Sequence, residues 1–336
     1  MRIRARAPLR VSYAGGGTDV PPYPELVGGV VLSSTIKNYA YCSVAPRNDG
    51  KVTVLQENTG VNSEAANLEG LAGDGEVSIV KAVAQRFAPG HGFDASLRYD
   101  ALPGAGLGSS SALCVSLIGA LKEWKGSSMT DYDVANLAYE IERKDVGIPG
   151  GMQDQYASTF GGFNLIEFRK EAIIVNPLRV RRDILNELEY NSLLCFSGVT
   201  RQSGGILKRQ IESYERKDSR VLGALEEMKQ LTLQMKDMLL TGNLSEFARL
   251  LTSEWELKKQ LDSGISTEES EKLLFEARRA GALGGKLLGA GGGGFLFLYC
   301  RSGKQNSVQR AVETLGGRTF PVRFDKDGLQ TWRSPN

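Results

Sequence analysis

The first hundred residues run in short blocks of alternating and helical hydrophobicity. In the stretch Arg2 to Ala7 every second side chain is basic, a period of two that puts Arg2, Arg4 and Arg6 on one solvated face of a strand. "VVLSSTIKNYAYCSVAP" is rich in β-branched and aromatic residues and predicts one long strand. "KVTVLQEN", reached through the turn "RNDG", predicts its hairpin partner. The period then changes. "GEVSIVKAVAQRFA" has helical spacing, and "FDASLRYDALP" returns to a strand pattern. "SALCVSLIGALKEWKG" is apolar nearly all round, which predicts a helix buried between a sheet and other helices. "TDYDVANLAYEIERKDVG" predicts the next helix, capped by Thr130.

The pattern loosens from Asn176 to Leu188, so a boundary between two halves is expected between 165 and 190. The second half opens with the strand-like "SLLCFSG" and continues through long, charged amphipathic stretches. In "STEESEKLLFEARRAGA", Ser266 stands three residues before Glu269 and predicts a capping box. "GAGGGGFLFLYC", the helix "QNSVQRAVETLG" and the strand "RTFPVRF" follow. The Met and Leu stripe of "LEEMKQLTLQMKDMLL" has the spacing of a helix face packed into a core. A chain of 336 residues suits about two domains.

Composition narrows the function. A net charge of +2 gives no field that would select nucleic acid or a membrane surface. Cys42, Cys114, Cys195 and Cys300 fit no zinc spacing and no Cys-x-x-Cys pair, so free thiols in a reducing compartment are expected. No apolar run reaches the ~20 residues of a membrane span, and a cytoplasmic protein is expected. The one histidine, His91, lies in the turn-like "PGHGF" and reads as a surface residue. A Ser-His-Asp triad is then unsupported, which leaves carboxylates, hydroxyls, backbone amides and basic groups to carry any chemistry.

Three glycine clusters give that chemistry a place. In "LPGAGLGSSSA", Gly104, Gly106 and Gly108 lie between a predicted strand and a predicted helix. The first amides of a helix lack internal partners and carry partial positive charge, so such a loop is an anion site. Pro103, Gly104, Ala105, Gly106, Leu107, Gly108, Ser109, Ser110 and Ser111 are the candidate nucleotide-phosphate residues. The three hydroxyls can cap amides, donate to phosphate or offer oxygen to Mg²⁺. No lysine follows the glycines, which excludes a Walker loop, and Ser109 stands where a dinucleotide loop needs glycine. The formal G-x-G-x-x-G at Gly289, Gly291 and Gly294 has its helix before and its strand after, the reverse of a dinucleotide site. "YAGGGTD" is the remaining cluster.

Together "PLRVSYAGGGTD", "LPGAGLGSSSA" and "KLLGAGGGG" resemble, in order, the three motifs of the GHMP kinase superfamily of galactokinases, homoserine kinases, mevalonate kinases and phosphomevalonate kinases. "GGVVLSST" and "FSGVTRQSGGIL" are most similar to the D-glycero-D-manno-heptose 7-phosphate kinase branch, with the kinase half of bifunctional fucokinases also similar. The resemblance implies a two-domain α/β (α+β) fold. It places a ribosomal-protein-S5-like N-terminal domain at 1–175 and a ferredoxin-like C-terminal domain with extra helices at 176–336. It further implies an ATP- and Mg²⁺-dependent kinase acting on the anomeric C1 hydroxyl of heptose 7-phosphate to give the 1,7-bisphosphate, for cell-envelope polysaccharide precursors. The partner is then a small sugar phosphate, with a homodimer left open. Matched residue by residue, Asp154 is the catalytic carboxylate with Arg10 beside it. Ser110 and Glu142 are the Mg²⁺ ligands. Gly16, Gly17, Thr18, Asp19, Gly291 and Gly292 line the sugar site.

There are departures. Gly16 and Gly17 replace the two polar residues of the galactokinase "GEHTD", which argues against galactose. One extra residue separates Glu142 and Arg143 from Asp154, and Lys37 stands where heptose kinases often carry an acidic residue. "SGVTRQSGG" supplies Thr200 and Arg201, a candidate pocket for a substrate phosphate. The alternatives are a kinase for fucose, another sugar or an isoprenoid alcohol, and a ligand sensor that kept the fold without catalysis.

Overall fold

The computed structural model describes residues 1–101, 104–200 and 204–335. Its first sheet is built on two long antiparallel strands, β1 (Arg2–Ala14) and β2 (Gly29–Arg47). β2 is the single long strand that its run of β-branched residues predicts. On β1, Ile3, Ala5 and Ala7 are buried while Arg2 and Arg4 are exposed, the alternation read from the sequence.

β3 (Val52–Gln56), β4 (Val61–Ala65), β5 (Gly92–Tyr99), β6 (Phe163–Phe168) and β7 (Ile173–Pro177) extend this sheet. The expected hairpin of β2 with β3 does not form. β5 is inserted between them, antiparallel to β2 and parallel to β3, and β3 makes its hairpin with β4 instead. Parallel strands need a crossover connection, and the helix Glu76–Phe87 supplies it.

The second sheet has the order β11-β8-β10-β9, formed by β8 (Ser192–Phe196), β9 (Ala282–Leu287), β10 (Phe295–Cys300) and β11 (Arg318–Pro321). The chain then returns to the first sheet. β12 (Phe324–Asp325) pairs with β2 and β13 (Gln330–Ser334) pairs with β1, which gives that sheet nine strands among the described residues.

The helices follow the sequence closely. Thr130 caps Asp131–Glu140 through a reciprocal box with Asp133. In the second half the capping box belongs to Thr267 and Ser270, one residue later than the spacing of Ser266 and Glu269 suggests. The Ser266 hydroxyl donates to Glu271 at 2.7 Å instead. Met228, Leu231, Met235 and Leu239 are buried, so the Met and Leu stripe is core. All four cysteines are free and buried, and His91 is exposed. No helix among the described residues is long and apolar enough to cross a membrane.

Beside the pairing of β12 and β13 with the first sheet, aromatic packing and a buried ion pair join the halves. The Tyr13 ring on β1 meets Phe247 and Phe297 edge-on, each at 5.3 Å. Next to it the Lys286 ammonium donates to the Tyr13 carbonyl at 3.0 Å and to Glu254 at 3.1 Å. Both charged side chains are buried, and burial pushes the Glu254 carboxyl up and the Lys286 ammonium down. Their attraction opposes both shifts, so each depends on the other to stay charged. We expect Lys286→Met to lower stability by about 3–5 kcal/mol, because it leaves the Glu254 carboxylate buried without its cation. Lys286→Met combined with Glu254→Leu should recover most of that loss. Urea unfolding of the wild type and the two variants checks both outcomes.

Candidate active site

The helix Ser109–Lys125 begins directly after the glycine loop, and no side chain caps its N-terminus. Gly104, Gly106 and Gly108 all have left-handed φ, +76°, +82° and +73°, which a side chain rarely adopts. The loop is held by backbone from the third glycine cluster. Phe295 N–H donates to the Ala105 carbonyl at 2.9 Å, and a Cβ on Gly106 would meet the Leu288 carbonyl oxygen at 2.6 Å. The serines therefore do not spend their hydroxyls on capping. Ser110 donates to Glu142 Oε1 at 2.8 Å, and Ser111 accepts from Gln155 at 3.1 Å. The helix amides are left for an anion.

Glu142 lies on a single π-helical turn, Ile141–Asp145, that follows Asp131–Glu140. The wider turn aims its carboxylate at Ser110. Glu142 is wholly buried, accepts from Gln155 Nε2 at 2.6 Å, and has Arg143 only at 3.8 Å. A buried carboxylate held by neutral donors, with a hydroxyl oxygen beside it, suits a hard cation such as Mg²⁺.

Asp154 sits in the first turn of the helix Gln153–Phe160. Arg10 Nε donates to its Oδ1 at 2.7 Å, and Arg10 NH1 donates to the Gly106 carbonyl at 2.7 Å. Arg10 backbone N–H bonds the Leu107 carbonyl at 3.0 Å. One residue of β1 thus ties the glycine loop to the carboxylate. Among the described residues no donor meets Asp154 Oδ2.

Gln153, beside Asp154, completes the wall. Gln153 donates to Asp19 from its backbone and from Nε2, each at 3.1 Å, and Gly17 N–H donates to Asp19 at 3.0 Å. Gly151 is required for this arrangement, because a Cβ there would overlap the Asp19 carboxylate. Gly16 leaves open the corner between Ser12, Gln153 and Lys258, all within 3.4 Å of where its Cβ would be. Ser12 Oγ and Gln153 Oε1 are buried there without a hydrogen-bond partner. Such groups mark a place where ligand polar atoms fit.

One open cavity collects these parts. It is lined by Arg10, Gly16, Gly17 and Asp19, by Gly104, Gly106, Gly108 and the three serines, and by Glu142, Asp154, Lys258 and Gly291. Other residues expected in the site lie outside its lining. Thr18 is buried with its hydroxyl donating to the Gly15 carbonyl at 2.8 Å, so it shapes the loop rather than facing the cavity. Ala105 and Leu107 turn their side chains into the protein, Gly292 bonds the Ile265 carbonyl, and Thr200 is exposed. Pro103 and Arg201 fall outside the described residues.

Sequence reading missed Gln153 and, with more consequence for the charge of the site, Lys258. It lies in the cavity wall, nearly buried, and donates to the Gly289 carbonyl at 2.7 Å. Burial, with Lys286 and Arg10 adding repulsion, brings its pKa down to about 7 against the pull of Glu254 and Asp19. A signal existed: Glu254 and Lys258 fall in phase with Phe247 and Leu251 on the apolar stripe of their helix. Charged residues at core positions mark a site or a buried pair.

Comparison with known proteins agrees with this geometry. Residues 77–162 match the family model described as the GHMP kinases N terminal domain, and residues 234–317 match GHMP kinases C terminal. The chain is 37% identical to the D-glycero-alpha-D-manno-heptose 7-phosphate kinase of Campylobacter jejuni, over 98% of this chain and 99% of that one. It is 29% identical to the L-fucokinase/L-fucose-1-P guanylyltransferase of Bacteroides fragilis, over 96% of this chain and 37% of that longer protein. The crystal structure of a D-glycero-D-manno-heptose 1-phosphate kinase from Bacteroides thetaiotaomicron superimposes with a TM-score of 0.82 at 35% identity, covering 99% of this chain and all of that one. The two-domain fold with mixed sheets, the two family matches and the full-length similarity establish that this chain belongs to the GHMP kinase family, as a sugar kinase that uses ATP as phosphate donor.

Proposed function

We propose that the chain phosphorylates the anomeric C1 hydroxyl of D-glycero-D-manno-heptose 7-phosphate. The observation that carries this reading is the Asp154 carboxylate, pinned by Arg10 at 2.7 Å in the same cavity as the uncapped amides of the glycine loop. The acceptor is suggested by the named activity of the full-length Campylobacter jejuni relative. The division into an N-terminal unit, 1–175, and a C-terminal unit, 176–336, belongs to the same reading.

The loop amides hold the phosphates of ATP, and Arg10 keeps the loop and the base in register. Asp154 Oδ2 accepts the proton of the C1 hydroxyl as that oxygen attacks the terminal phosphorus and the bond to the bridging oxygen breaks, releasing ADP. Ser110 and Glu142 are the residues that would hold Mg²⁺, which when bound neutralises charge on the phosphates. Asp19 and Gln153 take sugar hydroxyls, and Lys258 adds a cation in the corner opened by Gly16. Arg201 is assigned to the 7-phosphate. The helix Gly204–Glu215 brings Leu207 and Gln210 to the cavity wall.

The direct experiment measures ADP release with a panel of sugars and sugar phosphates, and locates the new phosphate by phosphorus NMR. We expect heptose 7-phosphate to give the highest kcat/KM and a C1 phosphate. Phosphorylation at another hydroxyl, or preference for fucose, would replace this substrate assignment. ADP release indifferent to every sugar would remove it.

Asp154→Asn should lower kcat by roughly 10²–10⁴ while ATP binding, followed by calorimetry, survives. Glu142→Gln should raise the Mg²⁺ concentration for half-maximal rate by about tenfold, consistent with losing one charged ligand. Lys258 carries its proton only below its lowered pKa of about 7. Affinity for an anionic sugar should therefore weaken as pH rises through about 7, beyond the change owed to the substrate's own phosphate. A 1/KM against pH profile that is the same for wild type and Lys258→Met would show that the lysine does not read the substrate.

A further inference from the structure

A second cavity, of about 420 Å³, lies at the seam between the two sheets and shares no lining residue with the first. Its volume falls within the range of about 300–1,000 Å³ usual for small-molecule sites. The glycine loop separates the two. Gly106 and Gly108 line the active-site cavity, whereas the intervening Leu107 lines the second.

The walls have two distinct chemistries. From the second sheet come three aromatic rings: Phe196 and Phe295 at 5.3 Å, and Phe295 and Phe320 at 5.8 Å. Phe320, on the edge strand β11, is 44% exposed, a large ring left open at the cavity wall. Facing the cavity with them are Arg318, whose guanidinium lies 5.2 Å over the Phe196 ring, and Lys37 of β2. Neither forms an ion pair among the described residues. Arg323, also in the wall, is already paired with Glu189 at 2.7 Å. Asp100 is the one acid in the lining, and its carboxylate accepts from the Tyr39 backbone at 3.0 Å. Two cations without an ion-pair partner among the described residues therefore face one carboxylate, beside an aromatic cluster whose exposed ring is Phe320.

We propose that this cavity is a second ligand site, built for a nucleoside phosphate. A flat base stacks on the exposed Phe320 ring, backed by Phe295 and Phe196, as aromatic faces allow. Its phosphate takes Arg318, which offers a bidentate fork, and Lys37 as a point charge. An isolated phosphate would leave the rings uncovered, and an uncharged aromatic would leave the two cations unmatched. The ligand would touch both sheets and Leu107. The Leu107 carbonyl accepts from the Arg10 backbone amide, so the second cavity backs onto the glycine loop.

Calorimetric titration of the full chain with ADP tests this. We expect two sites per chain. Arg318→Glu and Phe320→Ser, both at exposed positions, should each weaken one of them at least tenfold and leave the other, and kcat at saturating substrates, unchanged. Lys37→Glu, on the other sheet, should weaken the same site. Inorganic phosphate alone should bind that site at least tenfold more weakly than ADP. A single ADP site in the wild type, or two sites indifferent to all three substitutions, would overturn the proposal. Phosphate binding as tightly as ADP would also overturn it, since the rings would then contribute nothing. None of these outcomes bears on which sugar the kinase accepts, because that is read from ADP release at the other cavity.

Discussion

One guanidinium sets the geometry on which the candidate site depends. Arg10 is nearly buried on β1, yet it reaches two elements distant in sequence: the Gly106 carbonyl and the Asp154 carboxylate, each at 2.7 Å. Its own backbone amide bonds Leu107, so loop and side chain cannot shift independently. Arginine suits this post because its rigid planar fork fixes the directions of several bonds at once. An anion on the loop amides and a hydroxyl at Asp154 would then meet at a fixed separation. Phosphoryl transfer gains most from that kind of positioning.

The glycine clusters serve close approach rather than flexibility. The loop at 104–108, the turn at 289–294 and the segment at 15–17 come from three regions of the chain. Side chains at their meeting points would push them apart: a Cβ on Gly289 would meet Gly106 Cα at 2.6 Å, and one on Gly294 would meet the Ala105 carbonyl oxygen at 2.5 Å. The helix amides stay uncapped because the neighbouring hydroxyls are engaged elsewhere, with Glu142 and Gln155. Buried charge concentrates where the halves meet. Lys286 with Glu254, and Lys258 beside them, stand between the Tyr13 strand and the second-half helices. Such groups are costly to bury, and their position beside the cavity ties the stability of the seam to the chemistry of the site.

Much of this was legible in the chain. The strand and helix periods of β1, β2 and the helix Ser109–Lys125 are local, and each is set by side chains a few residues apart. The glycine and serine motifs were legible for the same reason, as short runs whose residue types match a chemical task, whereas Glu142 and Asp154 came from the family resemblance. What depended on partners distant in sequence was not legible. β3 pairs with β5 rather than β2, because a crossover helix inserts a strand that the turn "RNDG" gives no hint of. Thr18 turned inward because Val30, across the loop, offers its hydroxyl a partner.

By itself the sequence determined the main elements, the three glycine motifs and their hydroxyls, since these rest on local spacing and on residue chemistry; the acids of the candidate site came from the resemblance those motifs carry. Only the tertiary structure decided which groups face one another. It brought Arg10 to Asp154, turned the serines to Glu142 and Gln155, set Lys258 in the wall at a depressed pKa, and opened a second cavity behind Leu107. The physical reason is that desolvation and close contact are properties of surroundings. Lys258 has neighbours from three separated stretches of chain, and no window along the sequence contains them all.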